Sequence, residues 1–152
     1  GGVDGAIHAA GGPGLLEACA EYVREHGPLT PGEAMVTDAG DLNADIVVHA
    51  VGPKWRGGTH GEFVALEKAY TTSLRLAADA GARVVAFPSI STGAYGFPVD
   101  RAAYVALNAI ARYALHPKSP DVEEVRMVLF SDADFAVYEK ALEEVRRTML
   151  GT

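Results

Sequence analysis

A single cysteine, Cys19, stands in this sequence, so no disulfide can close within it and no cysteine cluster can hold a structural zinc. Such a chain fits a reducing compartment, and the expectation is a cytoplasmic protein. Long apolar runs are missing too. "DIVVHAVG" and "RVVAFP" fall far short of the roughly 20 residues that a membrane-spanning helix needs, and no basic-then-apolar leader opens the sequence. Basic charge is scarce: 13 Lys and Arg face 20 Asp and Glu, for a formal net charge of −7 and a pI of about 5.1. That balance disfavours general nucleic-acid binding. An anionic ligand must be held by local donors, such as backbone N–H groups and helix N-termini.

What is present is ordinary globular composition: 152 residues, 49% hydrophobic and 22% charged, with no repeat or low-complexity tract to divide them. The reading is one domain over residues 1–152. "PGLLEACAEYVREHG" spaces Leu15, Leu16, Cys19 and Val23 for one helical face, and Gly27–Pro28 stops it. "EAMVTDAG" and "DIVVHAVG" read as strands joined by "DLNAD". Helical spacing recurs from Glu62 to Ala80 and over "DRAAYVALNAIARYAL". "RVVAF" and "EEVRMVLF" read as strands buried on both faces. Phe135, Tyr138, Leu142, Val145 and Met149 predict the buried stripe of a last helix. From residue 45 the order is strand, helix, strand, helix, strand, helix, which predicts a mostly parallel sheet with helices on both faces. Ligands of such sheets sit outside the carboxyl ends of the strands, where the loops starting at Val51, Pro88 and Ser131 lie.

Two glycine-rich approaches to helices stand out. "SISTGAYGFP" (89–98) follows a strand and leads into a helix. Glycines there allow a close backbone approach, and consecutive N–H groups form an anion nest; a plain turn closing a strand–helix unit is the alternative. It matches neither a Walker loop nor a G-x-G-x-x-G fingerprint. "GGVDGAIHAAGG", at the start, is the second, and two such loops at one sheet edge fit the two phosphates of a pyrophosphate. Asp4 is the nearby carboxylate, placed either to orient a water or to cap the short helix over Val3–Ala10. His8 lies one helical turn on. His26, His49, His60 and His116 read as structural residues, since no two histidines have metal-ligand spacing. Trp55, Tyr95, Phe97 and Phe130 fall at the ligand edge, with Phe130 free to stack a base or to end its strand in the core. Ser131 and Asp134 have the spacing of a helix N-cap.

Together "GGVDGAIH", "PGEAMVTDAGDL", "IVVHAVGP", "FPSISTGAYGFP" and "VLFSDADFAVYEKAL" resemble the macrodomain family, in its MacroD-like mono-ADP-ribosyl hydrolase branch, over nearly the whole chain. The resemblance implies a three-layer α/β/α sandwich around a mixed, mostly parallel central sheet, with ADP-ribose as ligand and no metal or other cofactor. It assigns Gly2, Val3 and Gly5 to a first phosphate loop, and Ser91, Thr92, Gly93, Ala94, Tyr95 and Gly96 to a second, with Tyr95 near the distal ribose. Phe130 would stack on the adenine. Asp4 and His8 match the family's catalytic Asp and its neighbouring His. The implied reaction is hydrolysis of mono-ADP-ribosyl esters on Asp or Glu, or of O-acetyl-ADP-ribose. A non-catalytic ADP-ribose reader and an ADP-ribose-phosphate phosphatase are the rival readings, and poly-ADP-ribose chain ends a further ligand; neither a membrane nor general nucleic acid is expected as partner. Members of that family carry, ahead of this point, a strand–helix–strand region with an adenine-binding Asp and an Asn-Ala-Ala-Asn segment. None of those residues stands in this sequence, so the expected domain lacks its N-terminal strands.

Overall fold

The computed structural model describes residues 2–116 and 122–151. Its elements in chain order are α1 (Gly2–Gly11), α2 (Pro13–His26), β1 (Ala34–Asp38), β2 (Ile46–Ala50), α3 (Glu62–Asp79), β3 (Val84–Phe87), α4 (Val99–Ala114), β4 (Glu124–Met127) and α5 (Asp132–Leu150). Each follows a local cause. Pro13 starts α2 in the first turn, where a missing N–H costs nothing. Ser131 caps α5 by accepting a hydrogen bond from the Asp134 N–H at 3.1 Å, as its spacing predicts.

The strands form two separate two-stranded ladders. β1 and β2, joined by a short turn, pair antiparallel with Ala34 opposite Ala50, whereas β3 and β4, joined through α4, pair parallel with Val84 opposite Glu124. The expected central sheet is thus present as one pair of each kind. The turn between β1 and β2 abuts the end of α1: Asp41 N–H donates to the Gly11 carbonyl at 2.9 Å. Gly40, at φ 55°, has no room for a side chain there, because a Cβ would lie 2.3 Å from that same carbonyl oxygen.

The core is built from α3, α4 and α5 over one face of β3–β4. Leu66, Tyr70 and Leu74 of α3 meet Ala102, Ala103 and Ala106 of α4, whose small side chains let the helices approach closely. Two expectations are corrected here. β3 and β4 are not buried on both faces: exposure alternates along them, and Val84 and Val128 are 47% and 63% exposed, because among the described residues helices cover one side only. The buried line of α5 runs through Tyr138, Ala141 and Val145, with Met149 partly buried, while Phe135 and Leu142 are exposed. Positions 138, 141 and 145 share the face that meets α4, and 135 and 142 fall to one side of it.

Candidate functional site

The loop from Ser89 to Pro98 leaves the carboxyl end of β3 and is anchored beneath by two buried tyrosines. Tyr70 Oη donates to the Pro88 carbonyl at 3.1 Å and accepts from the Ile90 N–H at 3.0 Å. Burial, with Tyr138 close by, drives the Tyr70 hydroxyl well above its ordinary pKa, so it serves as a neutral donor and acceptor. Tyr138 Oη shares a hydrogen bond of 2.6 Å with Ser89 Oγ. Above these anchors the chain folds on itself: Phe97 N–H donates to the Ser91 carbonyl and Gly96 N–H to the Gly93 carbonyl, both at 3.0 Å.

Between those closures the N–H groups of Ser91, Thr92, Gly93, Ala94 and Tyr95 donate to no group among the described residues. Ser91 holds the left-handed conformation at φ 69°, unusual for a residue with a side chain, and its Oγ is buried without a partner. A row of unsatisfied donors around a strained residue is an arrangement that can receive an anion.

The first glycine-rich segment is helical from Gly2, so Val3, Asp4 and Gly5 lie in the first turn of α1, where N–H groups have no intrahelical acceptor. The short helix expected over Val3–Ala10 is present as α1, with Gly2 at its start in the left-handed conformation at φ 63°. Space around Gly2 and Gly5 is open: a Cβ on either would meet nothing within 4 Å. Asp4 Oδ1 lies 3.4 Å from His8 Nε2, and their side chains are 81% and 21% exposed. The carboxylate thus faces both solvent and His8.

The two segments share one edge of the molecule through β2. His49, near the end of β2, lies with its ring centroid 6.0 Å from that of His8. Three residues on, at most about 10 Å along the chain, Gly52 touches the other loop: a Cβ there would sit 2.2 Å from Ser91 Oγ and 2.5 Å from Ile90 Cγ2. β4 ends at the same edge, since Val128 N–H donates to the Phe87 carbonyl at 2.8 Å. Phe130 follows it and is fully exposed, at 101%, which removes the reading that it ends its strand in the core. Tyr95 is 42% exposed, with Lys54 Nζ 5.5 Å from its ring centroid. Phe97, by contrast, is a core residue at 1% exposure, and Trp55 packs on it at 4.7 Å between ring centroids.

Two features carry no sequence signature. Glu62 is 3% exposed, yet its carboxylate accepts from the N–H groups of Arg56 at 2.9 Å, Gly58 at 2.8 Å and His60 at 2.6 Å. Burial pushes this carboxyl up, and those backbone donors with its own N–H outweigh it and bring it down to about 2. It fastens the loop that carries Trp55. The second feature is a cluster of His8, Cys19 and His49, drawn from α1, α2 and β2. Cys19 Sγ is 3.6 Å from His49 Nδ1, and Thr37 Oγ1 is 2.8 Å from His49 Nε2. Burial, and to a lesser degree Asp4, raises the Cys19 pKa, and burial and His8 lower that of His49. Its members lie far apart in sequence, so spacing could not reveal it. No described helix is long and apolar enough to cross a membrane.

Comparison with known proteins meets this geometry. The Macro domain pattern matches residues 1–106. A protein of Enterobacter cloacae named O-acetyl-ADP-ribose deacetylase is 48% identical over 144 residues, covering 95% of this chain and 79% of its own. The solved macrodomain of Oceanobacillus iheyensis with ADP superposes with a TM-score of 0.89 at 36% identity, over 98% of this chain and 78% of that one. The Trypanosoma brucei macrodomain in complex with ADP-ribose superposes at 0.79 with 34% identity, over 93% and 57%.

Proposed function

This chain belongs to the Macro domain family, and on that premise we propose that it binds ADP-ribose along the edge formed by α1, the 89–98 loop and Phe130, and hydrolyses acyl esters of it. The carrying observation is the row of unpartnered N–H groups from Ser91 to Tyr95 at the edge where Asp4 meets His8. Those donors and the first turn of α1 take the pyrophosphate. A chain of net charge −7 offers no net positive field to do so in bulk. Phe130 offers a bare ring for the adenine, and Tyr95 a half-exposed one near the distal ribose.

Hydrolysis needs a water held against the ester carbonyl and a group to take its proton. Asp4 is a carboxylate with access to solvent, and His8 Nε2, 3.4 Å from its Oδ1, is within reach to orient it. Water adds to the acyl carbon, the bond from that carbon to the ribose oxygen breaks, and the ribose hydroxyl leaves with a proton while the acid is released. O-acetyl-ADP-ribose is the first substrate, on the strength of the deacetylase relatives. ADP-ribosyl esters of Asp and Glu side chains present a related bond to the same carboxylate and form the second class.

The test is a time course of release from O-acetyl-ADP-ribose and from a protein mono-ADP-ribosylated on glutamate, with the native chain and Asp4→Ala. Removing a positioned general base costs about 10²–10⁴-fold in rate. A loss in that range, with ADP-ribose affinity kept or improved because a charge beside the phosphates is gone, establishes the hydrolase. Tight binding with no turnover by either protein leaves a reader.

A further inference from the structure

The cluster of His8, Cys19 and His49 is not called on by the chemistry above, apart from His8 as the neighbour of Asp4. One donor atom from each of the three lies within 4.8 Å of those of the other two, and all three residues are partly buried. Thr37 Oγ1 donates to the Asp38 carbonyl at 2.8 Å and lies 2.8 Å from His49 Nε2. With the hydroxyl proton on that carbonyl, Thr37 accepts from Nε2–H, the tautomer that leaves the lone pair of His49 on Nδ1 for a ligand. Cys19 Sγ stands 3.6 Å from Nδ1 and 3.8 Å from Nε2. His8 Nε2 lies 3.4 Å from Asp4 Oδ1, and its Nδ1 is buried with no hydrogen-bond partner. A buried ring nitrogen without a partner is costly unless something fills that place.

We propose that His8 Nδ1, Cys19 Sγ and His49 Nδ1 form a three-ligand site for a divalent transition metal of the zinc class, with a fourth position open to water. Two imidazoles and one thiolate are the donors such ions favour over magnesium or calcium. Ligands at zinc bond lengths of about 2.0 and 2.3 Å in a tetrahedron stand about 3.5 Å apart; Cys19 Sγ is 3.6 Å from His49 Nδ1 and 3.8 Å from Nε2, so binding requires the Cys19 side chain to turn toward the Nδ1 edge of the ring. Thr37 Oγ1 lies 2.8 Å from His49 Nε2 and Asp4 Oδ1 3.4 Å from His8 Nε2, so an acceptor oxygen stands beside the outer nitrogen of each imidazole, the placement that orients metal-bound histidines. On binding, the Cys19 thiol gives its proton to solvent and becomes the anionic ligand. The ion ties α1 to α2 and β2 and holds the His8 Nε2–H on Asp4.

Cobalt(II) is the probe, titrated into the chelator-treated, reduced chain at neutral pH and followed by absorbance. The expected result is saturation at one equivalent, tetrahedral bands in the visible, a thiolate-to-cobalt band in the near ultraviolet, and loss of all of these when zinc is added. Because Cys19 is the chain's single cysteine, that ultraviolet band reports it without need of a variant. Two exchangeable imidazole N–H resonances shifted by the cobalt are expected, one from each histidine, and Thr37→Val should weaken binding by about 10–100-fold. Absence of the thiolate band, its persistence in Cys19→Ser, or absence of the shifted imidazole signals overturns the site. None of these readouts involves ADP-ribose, so the outcome stands apart from that of the hydrolase reading.

Discussion

At the scale of single residues, the site rests on atoms that are either missing or left bare. Phe130 is a large apolar ring with no packing partner, so its value lies in what it can cover. Base stacking contributes about 1–3 kcal/mol, and Phe130→Ala should weaken ADP-ribose binding by about 5–150-fold in a calorimetric titration while leaving the melting temperature unchanged. A matching drop in stability would place the ring in the core instead. Gly52 makes the opposite point, because its missing side chain is what lets β2 lie against Ser91. In Gly52→Ala the new methyl must displace Ser91 or Ile90, at an overpacking cost of about 1–3 kcal/mol. Urea unfolding should show that loss, and ADP-ribose affinity should fall with it, since the shift occurs in the nest itself. Unchanged affinity would detach Ser91 from the phosphate site.

Among elements, the loop before α3 depends on one acid turned back on the backbone. The folded value of about 2 for Glu62 lies below that of an unfolded Glu, about 4.3. The carboxylate's contribution is therefore fully present above about pH 5 and is lost as pH falls through the folded value. Glu62→Gln should be less stable than the native chain at pH 7, and the gap between their urea midpoints should narrow as pH falls from about 5 to 3. A gap that stays constant with pH would assign the loss to shape and not to charge. This acid also marks where the sequence stops being informative. The helices and strands announce themselves through spacing, and Ser131 through its distance from Asp134. The two glycine-rich segments stand out because a helix start and a tight loop are local features of the chain. Glu62 reads as any helix-opening acid, since its partners are N–H groups that only a particular loop path brings inward. Cys19 and His49 look like ordinary residues of an amphipathic helix and a strand until α2 is laid against β2. The exposed faces of β3 and β4 were likewise hidden, because a short apolar run states that a strand exists and not how many of its faces are covered.

The whole molecule sets the long-range field, and here that field opposes the proposed ligand. A net charge of −7 repels a pyrophosphate at distances beyond contact, whereas the donors that hold it are neutral N–H groups effective only at hydrogen-bond range. Salt should therefore act on the two stages differently. Screening shortens the reach of the repulsion from about 30 Å at 0.01 M ionic strength to about 8 Å at 0.15 M. Bonds formed inside the nest exclude much of that solvent. In stopped-flow binding, the association rate for ADP-ribose should rise as salt is added across this range, by less than about tenfold, with a dissociation rate that changes little. A basic phosphate site behaves in the opposite way, its association slowing with salt. If the rate falls instead, Lys54 and Arg101, which stand over the Tyr95 and Trp55 rings, govern the approach and the N–H groups are not working alone.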